Sequence, residues 1–117
     1  AEQAFENAEQ RVYREQLRRA LDTEIAKLSP IQQAAVRARF YENLTLAQTG
    51  ERLRSSAEYA RRQVDRALFL LKRSARLARF RERIIREGAY HGTGWQAWKY
   101  GGSVEERILL KLEELTQ

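Results

Sequence analysis

A chain of 117 residues, 43% of them apolar and 32% charged, suits one domain with a modest core. It contains no cysteine, which excludes disulfides and thiolate metal sites, and no apolar run approaches the roughly 18 residues a membrane span needs. The net charge of +6 is not spread evenly: residues 1–50 are neutral, residues 88–117 carry −1, and residues 51–87 carry +7, with eleven arginines among their twelve cations.

The start of the chain is polar and has no signal-peptide core, so a cytoplasmic location without a membrane partner is expected. Ala1 to Leu28 reads as one helix without Gly or Pro. Leu17, Leu21, Ile25 and Leu28 form its apolar course, which Phe5 and Val12 extend less regularly. Glu15 precedes Arg18 and Arg19 at helical spacing on the other side. This is a support or assembly helix.

Ser29-Pro30-Ile31-Gln32 is a start signal, because proline favours the first helical position and Ser29 with Gln32 closes a capping box. The helix that follows buries Ile31, Ala35, Val36 and Phe40 and ends near Glu42-Asn43. Thr45 and Gln48 form a second box, opening a helix at Leu46 whose inner face is Leu46, Thr49, Gly50 and Leu53. Arg54-Ser55-Ser56 interrupts the apolar period and supplies caps for a further helix. Either Ser55, boxed with Glu58, or Ser56 is the cap. Ala60, Val64, Ala67, Leu68 and Leu71 are its buried stripe; Glu58, Tyr59, Arg62, Asp65 and Arg66 point outward. A short helix, a turn and a longer arginine-bearing helix make a helix-turn-helix, with Gly50 and Ala60 where the two helices approach closely.

No breaker follows until Gly88, so this helix is expected to continue that far. Leu70, Leu77, Phe80 and Ile84 then form a heptad-spaced seam that lies against the first helix, the tail or a second copy of the chain. Five of the six glycines fall in 88–102. There Thr93 and Gln96 cap a short turn, and Trp95, Trp98, Tyr90 and Tyr100 look like a plug over apolar surface. Ser103 and Glu106 cap a final helix with Val104, Ile108, Leu109, Leu112 and Leu115 on its apolar face.

The fold class expected is all-α: a helical bundle containing a helix-turn-helix, with a long N-terminal helix, a long recognition helix and a C-terminal helix. Residues 1–28 form the support helix, 29–87 the helix-turn-helix with its extended recognition helix, and 88–117 the glycine and aromatic loop with the last helix.

A concentrated arginine surface points to double-stranded DNA, because the guanidinium fork matches phosphates and the guanine edge. Ala57, Glu58, Tyr59, Arg61 and Arg62, at the start of the recognition helix, are the base-contact set; Arg62 suits guanine and Glu58 suits cytosine N4. Arg52, Arg54, Arg66, Lys72 and Arg73 are placed for phosphates, and Ser55 and Ser56 with the helix-start amides can hold another. The arginines from Arg76 to Arg86 read as solvated surface cations. Catalysis has no constellation. His91 stands alone in a glycine-rich loop, and Glu105-Glu106 and Glu113-Glu114 are helix-surface carboxylates without metal-site spacing. No phosphate-binding loop or nucleophile elbow occurs, so no enzyme, cofactor or metal is expected.

From Leu28 to about Arg73 the chain resembles region 4 of bacterial sigma-70-type factors. The resemblance is carried by Leu28-Ser29-Pro30, the run Arg37-Ala38-Arg39-Phe40-Tyr41-Glu42-Asn43-Leu44-Thr45-Leu46, Gly50-Glu51-Arg52-Leu53, Ser56, Arg61, Arg66-Ala67-Leu68 and Leu71. It implies a recognition helix in the major groove of promoter DNA near the −35 element, and it makes RNA polymerase a candidate partner. Ser55 replaces the usual apolar turn residue and Ala60 a larger aliphatic. No segment resembles region 2, so a complete sigma factor is not expected. Small prophage-type regulators look like the nearest class, with a homodimer as one way to read two half-sites. A DNA-binding assembly subunit, such as the small component of a phage packaging motor, and a helical protein-interaction module are the competing readings.

Overall fold

Helix starts follow the capping boxes closely. The computed structural model describes residues 8–90 and 103–115, with side chains described through residue 83 and again from residue 103. Among the described residues there are six α-helices and no strand: α1 (Ala8–Ala26), α2 (Pro30–Val36), α3 (Leu46–Arg52), α4 (Ala57–Lys72), α5 (Ala75–Tyr90) and α6 (Val104–Glu114). The fold is all-α, as expected. At Ser29, Thr45 and Ser103 the hydroxyl accepts from the backbone N–H three residues on, and the Gln32, Gln48 or Glu106 side chain accepts from the cap's own N–H. Each box satisfies two N–H groups that a helix start otherwise leaves open.

One core joins five of the six helices, and Leu53, just past the end of α3, packs against it. Leu17, Leu21 and Ile25 of α1 meet Ala35 and Val36 of α2, Val64, Ala67, Leu68 and Leu71 of α4, Leu77 of α5, and Ile108, Leu109 and Leu112 of α6. The terminal helices therefore spend their apolar faces inside the molecule. Leu28 is buried too, although α1 stops at Ala26. Three expected apolar positions lie outward instead: Val12 is 56% exposed, Ile31 39% and Leu115 41%. Phe5, Thr93, Trp95, Gln96, Trp98 and Tyr100 lie outside the described residues, and the side chain of Tyr90 is likewise not described.

Beyond Val36 the second helix loosens into a π turn, Arg37–Tyr41, in which Glu42 N–H reaches back five residues to the Arg37 carbonyl. Asn43 then takes a left-handed φ of 57°, a conformation asparagine tolerates, and Arg39 donates to the Leu44 carbonyl at 2.6 Å. Together these aim the chain at the Thr45 cap.

The expected run of the recognition helix to Gly88 is corrected. It ends at Lys72; Arg73 and Ser74 turn the chain, and the Ser74 hydroxyl accepts from Leu77 N–H at 3.1 Å to open α5, which itself passes through Gly88. The heptad seam is broken with it. Leu70, on α4, is 40% exposed, whereas Leu77, on α5, is fully buried. Phe80 packs at the edge of the core, and the side chain of Ile84 is not described.

Polar contacts far apart in sequence hold this turn. The Glu24 carboxylate, 10% exposed, accepts from Lys27 at 3.0 Å and from Arg76 at 3.1 Å. Arg81 pairs with Glu113 at 2.7 Å and donates to the Lys72 carbonyl at 2.9 Å, while the Lys72 ammonium donates to the Leu115 carbonyl at 3.0 Å. The end of α4 is thus tied to both α5 and α6.

Burial pushes the Glu24 carboxyl up, but hydrogen bonds from Lys27, Ser74 and Arg76 outweigh it and leave the group below its ordinary 4.5. A lowered folded value makes the stabilisation complete above the unfolded value and lost as pH falls through the folded one. Glu24→Gln is expected to cost about 1–3 kcal/mol at neutral pH in urea unfolding. That difference should shrink as the wild type is acidified below pH 4.5.

Candidate nucleic-acid interface

The interface begins with a backbone contact. A Cβ built on Gly50 would lie 2.6 Å from the carbonyl carbon and oxygen of Ser56 and 2.9 Å from the nitrogen of Ala57. Only glycine lets α3 come this close to the start of α4. Thr49 beside it is fully buried, with its hydroxyl bonded to the Thr45 carbonyl at 2.8 Å.

The turn itself closes α3. Ser55 N–H bonds to the Gly50 carbonyl at 2.7 Å and Arg54 N–H to the Glu51 carbonyl at 3.0 Å, the paired bonds of a Schellman motif. Its left-handed position is held by Arg54, at φ 60°, where glycine is the usual occupant. Ser56, not Ser55, caps α4: its hydroxyl accepts from Tyr59 N–H at 3.1 Å. The Ser55–Glu58 box does not form, because with Ser56 as the cap Glu58 falls at the second helical position, where it pairs with Arg61.

Ala60, Val64, Ala67, Leu68 and Leu71 of α4 are buried, so its opposite face must point to solvent. Ala57, Glu58, Arg61, Arg62, Asp65 and Arg66 are exposed there, and Tyr59 is half-buried at the margin. The five base-contact candidates thus lie together on the first two turns. Arg52, Arg54, Ser55 and Ser56 are exposed beside them at the turn.

The charges on this face are not equivalent. Arg61 lies between Glu58 and Asp65, 2.7 Å from the latter, and Arg62 reaches Glu58 only at 3.7 Å. The Arg61 hydrogen bond holds the Glu58 carboxyl below its usual range, and the same bond raises the guanidinium. Arg52 is paired with Glu42 at 2.9 Å, which lowers the Glu42 carboxyl in the same way. Arg54 and Arg66 have no ion pair among the described residues. Arg73 lies over the Phe69 ring at 5.8 Å from its centroid. Lys72, expected at a phosphate, turns toward α6. Nor are all the later arginines plain surface cations: Arg76 and Arg81 are ion-paired, and Arg83 sits 3.9 Å over the Tyr13 ring.

Sequence reasoning missed Glu24, although a carboxylate between Leu21 and Ile25 on an apolar course is itself a signal for a buried pair. It also missed Arg52–Glu42, which no local spacing announces. Among the described residues no cluster of His, Cys, Asp and Glu could hold a metal ion, and no helix is long and apolar enough to cross a membrane.

The family model for sigma-70, region 4, matches residues 25–73. The protein carries a sigma-70 region 4-like helix-turn-helix. No curated protein and no solved structure matches the chain. The region 4-like unit therefore spans the end of α1, then α2, α3 and α4, and stops at Arg73, where the chain turns into α5. It is a DNA-binding rather than a catalytic domain type. Most of α1, together with α5 and α6, is what this chain adds around it.

Gly50→Ala should destabilise the protein by about 1–3 kcal/mol, because the clash is with backbone that cannot rotate away; urea unfolding reads this directly. Arg54→Gly should act in the opposite sense, raising stability by up to about 1 kcal/mol by removing a side chain from a left-handed position. The same variant should bind duplex DNA more weakly, so melting temperature and affinity would move in opposite directions.

Proposed function

We propose that this protein is a sequence-specific DNA-binding transcription regulator that inserts α4 into the major groove of promoter DNA. The observation that carries the reading is the solvent-facing Glu58–Arg66 surface of the region 4-like unit, with its hydrophobic face fully engaged beneath it. Arg62, the less tightly paired guanidinium of the first two turns, is the guanine contact, and Ala57 and Tyr59 flank it. Glu58 and Arg61 engage bases by exchanging partners with each other. Arg54 and Arg66 take phosphates without losing a partner; Arg52, Arg73 and the Ser55–Ser56 helix start extend the backbone contacts. A single helix reads one half-site weakly, so the function includes a second contributor, either RNA polymerase or a second copy of the chain.

One observation favours this over the assembly-subunit reading. Ile108, Leu109 and Leu112 of α6, and Leu17, Leu21 and Ile25 of α1, are all spent in the protein's own core rather than left for ring contacts. A regulator of the small prophage type fits such a closed unit.

Selection of bound duplexes from a random pool should enrich one motif. Against that motif Arg62→Ala is expected to cost roughly 1–3 kcal/mol and to relax preference at one base pair. Arg66→Ala should weaken all duplexes alike and reduce the salt slope by about one. Absence of duplex binding at low salt, or a pool that shows no enrichment, would sink the reading.

A further inference from the structure

A groove of about 810 Å3 runs between α1 and α5, outside the matched residues 25–73. Arg19 stands on the α1 wall, and Arg76, Arg79 and Arg83 on the α5 wall. Tyr13 and Phe80, with ring centroids 5.7 Å apart, are packed on the core and make an apolar floor. Among the described residues no carboxylate lines it.

We infer that this groove is a docking site for an acidic peptide segment that carries a large apolar side chain. Three features of the groove select that chemistry. Among the described residues its charged lining is arginine alone, which suits the bidentate geometry of carboxylates. Arg79 is exposed and has no ion pair among the described residues, and Arg19 is engaged only by Glu15 in a surface pair that exchanges at little cost. Beside the Arg83-covered Tyr13 ring, Phe80, Ala20 and Ala75 give apolar lining, so an occupant gains by burying an aromatic or aliphatic group between the cations.

Concavity decides between a peptide and nucleic acid. A duplex needs an outward-standing element to enter its groove, which α4 provides and a recess between two helices does not. A stacked base would need a free aromatic face, and the described face of Tyr13 is covered by Arg83 at 3.9 Å. An extended peptide needs neither; it places alternate side chains down onto the floor and out to the rim. The site is separate from the α4 surface, so it stands whether or not the DNA reading does.

The test is fluorescence anisotropy of the whole protein with a short labelled peptide alternating glutamate and leucine around a central phenylalanine. The control peptide has glutamine for each glutamate. The acidic peptide should bind, lose affinity with salt, and bind the Arg19→Gln/Arg79→Gln double variant about tenfold more weakly. Ala75→Trp, at an exposed lining position, should block the peptide by filling the groove while leaving every cation in place. Duplex affinity of both variants should stay within about threefold of wild type, since only long-range charge has changed. Equal binding of the acidic and glutamine peptides overturns the inference, as does wild-type peptide affinity in a variant whose thermal melt shows it folded. Loss of single- or double-stranded DNA binding in step with the peptide would instead make the groove a nucleic-acid track, and overturns it too.

Discussion

The absence of one side-chain carbon at Gly50 governs the geometry of the recognition surface. With α3 in contact with the Ser56–Ala57 backbone, the two helices have a single way to meet, and the direction of α4 is set by that contact. The same residue contributes its carbonyl to the Schellman bond from Ser55, so the end of one helix and the start of the next are specified together. Burial of Ala60 and Val64 behind this point then leaves no freedom for α4 to roll. What α4 shows to solvent is consequently decided by a position that never reaches solvent.

Arginine serves two different purposes in this chain. On α4 and the preceding turn it faces outward, where its cost is small and its reach long. On α5 it acts as a fastening: Arg76 to Glu24 of α1, Arg81 to Glu113 of α6 and to the last turn of α4. Those carboxylates are largely withdrawn from water: Lys27, Arg76 and Ser74 converge on Glu24, and Glu113 is held by the Arg81 guanidinium. The region 4-like unit is in this way clasped by the helices added at either side of it.

Much of the architecture was legible because it is written in local rules. Ser29, Thr45 and Ser103 each announce a helix through a partner three residues away, and the Ala60–Leu71 stripe follows from the 3.6-residue period. The break at Arg73–Ser74 was hidden for the opposite reason. Neither residue is a breaker; Ser74 caps α5 locally, but the other contacts that hold the turn come from Glu24, Glu113 and Leu115, which are remote in sequence. The π turn at Arg37–Tyr41 likewise has no compositional mark. At the candidate interface, spacing placed the cations on one face but could not separate paired from unpaired ones. Lys72 and Arg66 look alike as letters; one is bound to the Leu115 carbonyl and the other has no ion pair among the described residues. The left-handed φ of Arg54 was invisible, since arginine does not advertise it as glycine would.

If α4 reads a duplex as proposed, the carboxylates flanking Arg61 bear on selectivity. Glu58 and Asp65 occupy the guanidinium as a phosphate would, so the recognition helix carries its own competitor. A random stretch of duplex offers only its phosphates and must displace that competitor for little gain. A cognate site can compensate by giving Glu58 an amino group to accept from as Arg61 is released. On that reading the internal pairs would subtract from loose association more than from correct docking, and discrimination would be sharpened by charges that reduce the net attraction.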